Sequence, residues 1–347
     1  MKKANDAPSK YAVAGVDLET AEAAKVLIGE LVAGTRTALS TGRVGAFGGM
    51  VRIPAGMRRP TLVLSTDGVG TKVLVALQAE RFDTVGEDLV NHSVNDILVH
   101  GATPIAFMDY IAGAGLGVEQ IAEIVAGIAR GCCAHEMALA GGETAQMPGL
   151  YQPGTYDLAG TIIGVVEEDR ALHGDAIMPG DVLLGYASTG LHTNGYTLAR
   201  RIVFQQMGLD LGDQLGDTGQ TVAQALLAVH RSYFRSVVPV LDRLHGLAHI
   251  TGGGIGGNLV RILPAESQAT VDPDSWELPP LFTTLQQAGR VSTGEMRDVF
   301  NLGVGLIAVL PPNAVAAAQS AAAADGVPTW VMGEIQRGSR TVRFARP

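Results

Sequence analysis

Apolar and polar positions along the chain alternate between the spacing of strands and the spacing of helices. Leu27, Ile28 and Leu31 recur at helical spacing and predict a helix over 17–37. Leu62 to Leu64 reads as a short buried strand that breaks into the loop Ser65-Thr66-Asp67-Gly68-Val69-Gly70-Thr71-Lys72. The next helix, over 83–100, is the most informative. At about 100° per residue, Val90, Val94, Ile97 and Leu98 share one face, while Asp88, His92, Asn95 and Asp96 share the other. Solvated helix faces usually carry Glu, Lys and Gln, which favour helix; Asp, Asn and His do not. This stripe therefore predicts one wall of a polar site.

A strand over 104–110 and an amphipathic helix over 118–130 follow, then a strand running into the glycine loop 139–149, which delivers Glu143. A long apolar strand covers 156–167. The charged segment 167–181, with Gly and Pro, predicts a boundary between an N-terminal domain over 1–170 and a C-terminal domain over 171–347. The second half restarts with a strand over 182–187, the hydroxyl- and glycine-rich loop 188–196, a helix through Leu198, Ile202 and Val203, and an exposed loop over 208–219. A long helix is expected over 221–244, bent at Pro239. A strand over 247–250 enters the glycine loop 251–258 and a short helix. Strands over 268–271, 302–310, 329–335 and 341–344, with an Ala-rich helix over 311–326, complete the chain. The fold class is α/β, and 347 residues suffice for two cores.

Composition narrows the functions. Net charge is −9 without a basic block, which argues against nucleic acid as a partner. No apolar run approaches the ~20 residues that span a membrane. The first ten residues are polar and lack an apolar h-region, so a disordered tail and no secretory signal are expected. Adjacent Cys132 and Cys133 suit a reducing cytoplasm, and Cys-Cys-Ala-His135 lacks zinc-ligand spacing. Glycine is in excess, 45 of 347 residues against a usual ~7%, and its clusters suggest loops built to approach a ligand.

Gly68 and Gly70 let the backbone bring its N–H groups close to an anion, Asp67 offers a hard oxygen to Mg²⁺, and Lys72 offers a point charge to phosphate. Only five of the 25 basic residues are Lys, and none follows Lys72. The competing reading is an ordinary Asp-Gly turn at a strand end. Loop 188–196 also suits an anion at a helix start. The 42–49 loop is either a flexible cover over a ligand or a loose hairpin connection. Asp67, Asp96 and Glu143, with Asp88 and Asn95 nearby, suit Mg²⁺-nucleotide chemistry if they converge. Gly252, Gly254 and Gly257 also fit G-x-G-x-x-G with Asp272 about 20 residues on, the outline of an NAD-dependent oxidoreductase, although the helix that follows is short. Pattern alone leads to an ATP-dependent phosphoryl-transfer enzyme, with a dinucleotide enzyme or a nucleotide-binding module as alternatives.

Several motifs match in order across nearly the whole chain: residues 11–17 (YAVAGVD), 65–72 (STDGVGTK), 94–96 (VND), 141–151 (GGETAQMPGLY), 188–196 (STGLHTNGY) and 249–258 (HITGGGIGGN). Together they resemble the phosphoribosylformylglycinamidine cyclo-ligase family, also called aminoimidazole ribonucleotide synthetases. The loop 44–49 departs from the family in being less glycine-dense. The resemblance implies a two-domain synthetase fold. In it, the N-terminal domain forms a dimeric β-barrel with the partner subunit, and the C-terminal α/β domain packs beside it. It further implies a cytoplasmic homodimer that uses ATP and Mg²⁺ to close formylglycinamidine ribonucleotide to 5-aminoimidazole ribonucleotide. Under that resemblance Asp67, Asp96 and Glu143 hold Mg²⁺. Asp67, Gly68, Val69, Gly70, Thr71, Lys72, Asn95 and Glu143 meet the nucleotide. Thr251, Gly252, Gly253 and Gly254 hold the substrate phosphate. His192 and Asn194, with Asp96, serve the reacting amide. His192 is expected on an open loop that presents its ring without burying it.

Overall fold

The computed structural model describes residues 18–43 and 45–345; the expected N-terminal tail, the 11–17 motif and Val44 lie outside the described residues. The first half contains α1 (Leu18–Gly34), β1 (Pro60–Gly68), α2 (Lys72–Gln78), α3 (Asp83–Leu98), β2 (Thr103–Gly113), α4 (Val118–Ala134), β3 (Ala138–Gln146) and β4 (Tyr156–Glu167). Its four strands form one sheet in the order β1-β4-β2-β3, antiparallel except between β2 and β3. Strand β1 does not stop at Leu64. It runs on through Asp67 and Gly68, which pair with Gly160 and Ala159 of β4. Strand β3 likewise carries Gly142 and Glu143 as ladder residues opposite Asp109 and Tyr110. In both places the ladder to a neighbouring strand overrides the local turn preference of Asp-Gly and Gly-Gly.

Helices α3 and α4 pack side by side over one face of this sheet. They approach closely because a Cβ on Gly86 would meet the Ile124 carbonyl oxygen, and one on Gly127 the Asp83 carbonyl oxygen. Part of the glycine excess thus serves helix packing rather than ligand approach. The other face of the sheet is open and apolar, with Leu62, Leu64, Met108 and Tyr110 exposed. The 42–49 segment is closed by a bridge between Ser40 and Val51, and a Cβ on Gly49 would press into Ala140.

The second half contains β5 (Val182–Ala187), α5 (Tyr196–Arg200), α6 (Val222–Leu226), α7 (Phe234–Val237), β6 (Gly246–His249), α8 (Gly254–Leu259), β7 (Ser267–Val271), α9 (Pro280–Gly289), α10 (Thr293–Val299), β8 (Val304–Leu310), α11 (Val315–Ala324), β9 (Thr329–Arg337) and β10 (Thr341–Phe344). Its six strands run in the order β10-β7-β9-β5-β8-β6. β8 is buried from end to end and divides two cores: Leu306, Ala308 and Leu310 face one, Ile307 and Val309 the other. Helices α9 and α10 escape the sequence pattern because Pro279, Pro280 and Gly294 interrupt it; Ser292 Oγ caps α10 by accepting the Glu295 N–H at 3.2 Å.

The expected helix over 221–244 is broken into α6, an irregular 227–233, α7 and a 3₁₀ turn over Val238–Arg243. Side chains of α3 take the backbone of the middle piece. Asp88 accepts the His230 N–H at 2.7 Å, and Asn91 donates to the His230 carbonyl at 2.8 Å. Asn95 donates to the Arg231 carbonyl at 2.8 Å and accepts the Tyr233 N–H at 2.9 Å. Backbone groups engaged there are not free for an intrahelical ladder. Among the described residues no helix is long and apolar enough to cross a membrane.

Candidate active site

The polar stripe of α3 divides between two tasks. Asp88 and Asn95 are fully buried and grip segment 230–233, so Asn95 is not offered to a nucleotide as the sequence suggested. Lys72 is also fully buried, not presented to an anion. Its Nζ meets Asp88 at 2.7 Å, the Ala228 carbonyl at 2.7 Å and the His192 carbonyl at 3.3 Å. All three ammonium donors are therefore occupied. Burial pulls the Lys72 pKa down and that of Asp88 up, and each group's charge opposes the shift in the other.

His92 and Asp96, one helical turn apart, face the junction between the two halves together with Asp67. His92 Nε2 lies 2.9 Å from Asp67 and 3.5 Å from Asp96. Asp96 also accepts from Ser65 Oγ at 3.0 Å and from His249 Nδ1 at 2.8 Å. The bond from His92 lowers the Asp67 pKa. Burial works against ionisation of Asp96, yet His249 and His92 hold it well below the usual carboxylate range. Burial likewise disfavours His92 as a cation, but the two carboxylates prevail and raise its pKa to about 9.

Ionised carboxylates only accept, and this sets a direction for the chain of bonds. His92, protonated, donates through Nδ1 to Thr193 Oγ1 at 2.8 Å. Thr193 Oγ1 also lies 3.4 Å from His230 Nδ1, and His230 Nε2 lies 3.1 Å from His249 Nε2 and 3.2 Å from the amide nitrogen of Asn95. His249 Nδ1 returns the chain to Asp96. His192 stacks on His230 with ring centroids 3.9 Å apart.

His192 is 1% exposed, contrary to the open-loop expectation. Its Nε2 accepts the Thr189 N–H at 3.2 Å, its backbone takes the left-handed φ of 61°, and burial lowers its pKa well below the ordinary histidine value. The flanking small residues permit burial because the shell is supplied by His230 and Tyr233, distant in sequence.

The remaining expected residues separate into those that converge and one that does not. The Gly68–Thr71 turn lies on the 193–197 loop, with Thr71 and Thr197 hydroxyls 3.2 Å apart. Asn194, half-buried, lies against Gly252, so the 251–254 loop adjoins it. Asn258 ties that loop by donating to the carbonyls of Thr251, Gly252 and Gly254. Glu143 is elsewhere. Register places it in the row of Gly68, Ala159 and Tyr110, on the open face, whereas Asp67 shares a row with Gly160 and Asp109 on the helix-covered face. Three strand spacings, about 14 Å, separate the two rows' ends. Within one chain the carboxylates therefore do not make a trio: Asp67 and Asp96 meet, and Glu143 does not join them.

The dinucleotide alternative fails on topology. β6 and β7, which flank the 252–257 glycines, lie far apart in a largely antiparallel sheet, so no βαβ unit exists there. Thr193, His230 and His249 were not read from sequence as site residues. The available signal was numerical: four of the eight histidines, at 92, 192, 230 and 249, gather at one point.

A sheet-end carboxylate, an acidic helix stripe and two glycine loops thus meet between the two α/β halves. The chain matches the AIR synthase related protein models, the N-terminal domain over 48–166 and the C-terminal domain over 178–345, and it belongs to that family. Within it, the chain is similar to phosphoribosylformylglycinamidine cyclo-ligases. The one from Sorangium cellulosum (strain So ce56) is 46% identical over 329 residues, 94% of each chain. That from Thermosynechococcus vestitus (strain NIES-2133 / IAM M-273 / BP-1) is 45% identical over 335 residues, covering 96% of this chain and 98% of the relative. In fold it is similar to thiamine-monophosphate kinase from Stenotrophomonas maltophilia K279a, with a TM-score of 0.70, 20% identity and coverage of 92% and 95%. It also resembles hydrogenase maturation protein HypE, solved in complex with ATP, with a TM-score of 0.62, 18% identity and coverage of 90% and 88%.

Proposed function

We infer that the protein is an ATP-dependent cyclo-ligase of purine biosynthesis. It closes formylglycinamidine ribonucleotide to 5-aminoimidazole ribonucleotide and releases ADP and phosphate. The observation that carries this reading is the 46% identity to a phosphoribosylformylglycinamidine cyclo-ligase along 94% of both chains. The site supports it. Asp67, His92 and Asp96 bring ligand atoms within 4.8 Å of one another, and the two carboxylates are hard oxygen donors that fit Mg²⁺. Mg²⁺ bound there would offset charge on the ATP phosphates. Asp67, its side chain 52% exposed, is the arm that reaches toward the nucleotide, while Asp96 is anchored from behind by His249.

In this reading the backbone from Gly68 to Thr71 approaches the nucleotide phosphates, and Thr251 to Gly254 hold the substrate phosphate. The γ-phosphoryl group passes to the formamide oxygen, the ring nitrogen attacks that carbon, and phosphate leaves. Asn194, between the two loops, orients the reacting amide. His192 is a positioning residue that acts by holding His230 and the 193–197 loop. Lys72 belongs to the frame, since a phosphate would have to displace it from Asp88.

The open face of the first sheet supports a homodimer. Leu64 is 63% exposed and stands with Leu62, Met108 and Tyr110 on a β surface that a second copy would cover, closing a barrel. Glu143 lies on that face and would serve a site through the assembly. The free thiols, Cys132 and Cys133, agree with a cytoplasmic enzyme. The test is ADP release measured with and without formylglycinamidine ribonucleotide, alongside detection of the aminoimidazole product. ATP turnover indifferent to that substrate, or no ring product, would sink the assignment.

A further inference from the structure

We propose that Asn301 is a positioning residue for ring closure: from a strained turn before β8 it fastens the 188–194 loop and so sets where Asn194 stands. Asn301 is buried and lies outside the motifs that carry the family resemblance. Its amide is engaged at both ends. Nδ2 donates to the Gly190 carbonyl at 2.8 Å. Oδ1 accepts the Gly303 N–H at 2.9 Å and lies 3.2 Å from Ser188 Oγ. Two of these partners are backbone groups of opposite polarity, a carbonyl and an N–H, so the amide has one orientation. Ionised aspartate would lack the donor, and an apolar side chain would lack both.

The turn that presents Asn301 is held in an unfavourable shape. The Asn301 carbonyl accepts the Val304 N–H at 2.9 Å, and both residues between are left-handed, Leu302 at φ 54° and Gly303 at φ 90°. Glycine takes that region freely, whereas the Cβ of leucine is crowded there by its own backbone. Turns with two left-handed central residues favour Asn-Gly, so Leu302 is kept in place by its surroundings. Those surroundings come from distant parts of the chain. Trp276 Nε1 donates to the Leu302 carbonyl at 3.0 Å, and the Ser188 N–H to the Gly303 carbonyl at 2.8 Å. The strained turn and the start of the 188–194 loop therefore lock each other, and the Asn301 amide joins them.

The fastening bears on the site because Gly190 precedes Asn194 on the same tight loop. Gly190 has a φ of 144°, which residues with a side chain rarely adopt, and His192 follows at φ 61°. The Asn194 N–H closes on the Leu191 carbonyl at 3.4 Å. Without the Asn301 amide the Gly190 carbonyl is released, and its peptide can rotate toward a relaxed shape. Asn194 would then shift from Gly252, against which it lies. A displacement of about 1 Å at a reacting group can cost about 100-fold in rate. This inference rests on the ligase reading, in which Asn194 orients the reacting amide.

The experiment compares the full-length wild type with Asn301→Ala, Asn301→Asp and the exposed control Asn313→Ala. Ring-closure kinetics, ATP Kd and hydrogen exchange read by mass spectrometry are measured on each, with circular dichroism to verify folding. In Asn301→Ala, kcat should fall by about 10–100-fold while ATP Kd and the ribonucleotide KM stay within about 3-fold. Faster exchange should be confined to 188–195 and 301–304, and Asn313→Ala should behave as wild type. Asn301→Asp adds a pH readout. Its ionised carboxylate only accepts, but the neutral acid has an O–H for the Gly190 carbonyl, and burial favours that form. Its kcat relative to wild type should therefore rise as pH falls, whereas that of Asn301→Ala stays flat. Wild-type kcat in folded Asn301→Ala overturns the proposal. So does loss of ATP affinity with faster exchange across both halves, or failure of both variants to fold, since each makes Asn301 a residue of general stability. A wild type whose ADP release ignores formylglycinamidine ribonucleotide overturns the ligase reading as well, and shows this before any variant is made.

Discussion

Replacing Lys72 by methionine keeps the aliphatic stem and removes the ammonium from a site with no access to water. Three acceptors then lose their donor: Asp88 Oδ2 at 2.7 Å, and the carbonyls of Ala228 and His192. The two carbonyls lose a donor as well, at a cost of about 1–3 kcal/mol for each that stays buried and unpaired. Asp88 is the serious case, a fully buried carboxylate left with the His230 N–H and no counter-charge. Breaking a buried pair on one side costs about 3–5 kcal/mol, a large part of a typical stability of about 5–15 kcal/mol. Lys72→Met should therefore unfold at clearly lower urea, followed by the fluorescence of Trp276 and Trp330 and by far-UV circular dichroism. Adding Asp88→Asn, which keeps an acceptor for the His230 N–H but drops the orphaned charge, should recover at least ~1 kcal/mol. If Lys72→Met folds with wild-type stability and handles ATP poorly, the ammonium serves the nucleotide, and the structural argument is wrong.

Asp67→Asn and Asp96→Asn should each lower activity by about 10²-fold or more at ordinary Mg²⁺ while the fold is retained, since each removes a charged oxygen donor; near-normal kinetics across a Mg²⁺ titration in both variants would take them out of the site. In the metal-free protein His92, raised from 6.5 to about 9, contributes stability that is complete below about pH 6.5 and is lost as pH rises through about 9, an effect of about 3 kcal/mol at ~1.4 kcal/mol per pH unit. His92→Gln should flatten that decline in a series of denaturation curves, and an equal slope in the variant would reject the assignment. Leu64→Glu, placed on the open sheet face, should shift the protein to a monomer in sedimentation velocity, whereas an unchanged dimer would direct attention to another surface.

Strand and helix periodicity carried most of the fold: the strands Tyr156–Glu167, Val182–Ala187 and Thr341–Phe344 coincide with the sequence reading. The misses share a cause, which is that distant groups settled them. Segment 230–233 reads as helix locally and loses that state to the side chains of Asp88, Asn91 and Asn95. The Asp67-Gly68 and Gly142-Glu143 pairs read as glycine loops and become strand because neighbouring strands satisfy them. In the site, the stripe on α3 was correctly polar, but a stripe does not say which members face a ligand and which hold a neighbouring segment. His92 and Asp96 face the junction, whereas Asp88 and Asn95 do not. Lys72 looked like a phosphate ligand because charge in a glycine loop usually meets solvent, and only the structure shows Asp88 opposite it.

The grip of α3 on segment 230–233 has a bearing on how this joint tolerates change over evolutionary time. It touches the main chain of the clasped strip: the N–H groups of residues 230 and 233 and the carbonyls of 230 and 231. Such contacts are blind to side-chain identity, so Arg231 and Ser232 can drift in composition while the joint keeps its alignment; His230 and Tyr233 are held separately through their rings. Proline is the exception at 230 and 233, because it has no N–H to give. The burden of invariance passes instead to the helix, where Asp88 and Asn95 have no substitutes of equal length and donor pattern. Homologous chains should therefore be variable at 231 and 232 and nearly uniform along the gripping helix.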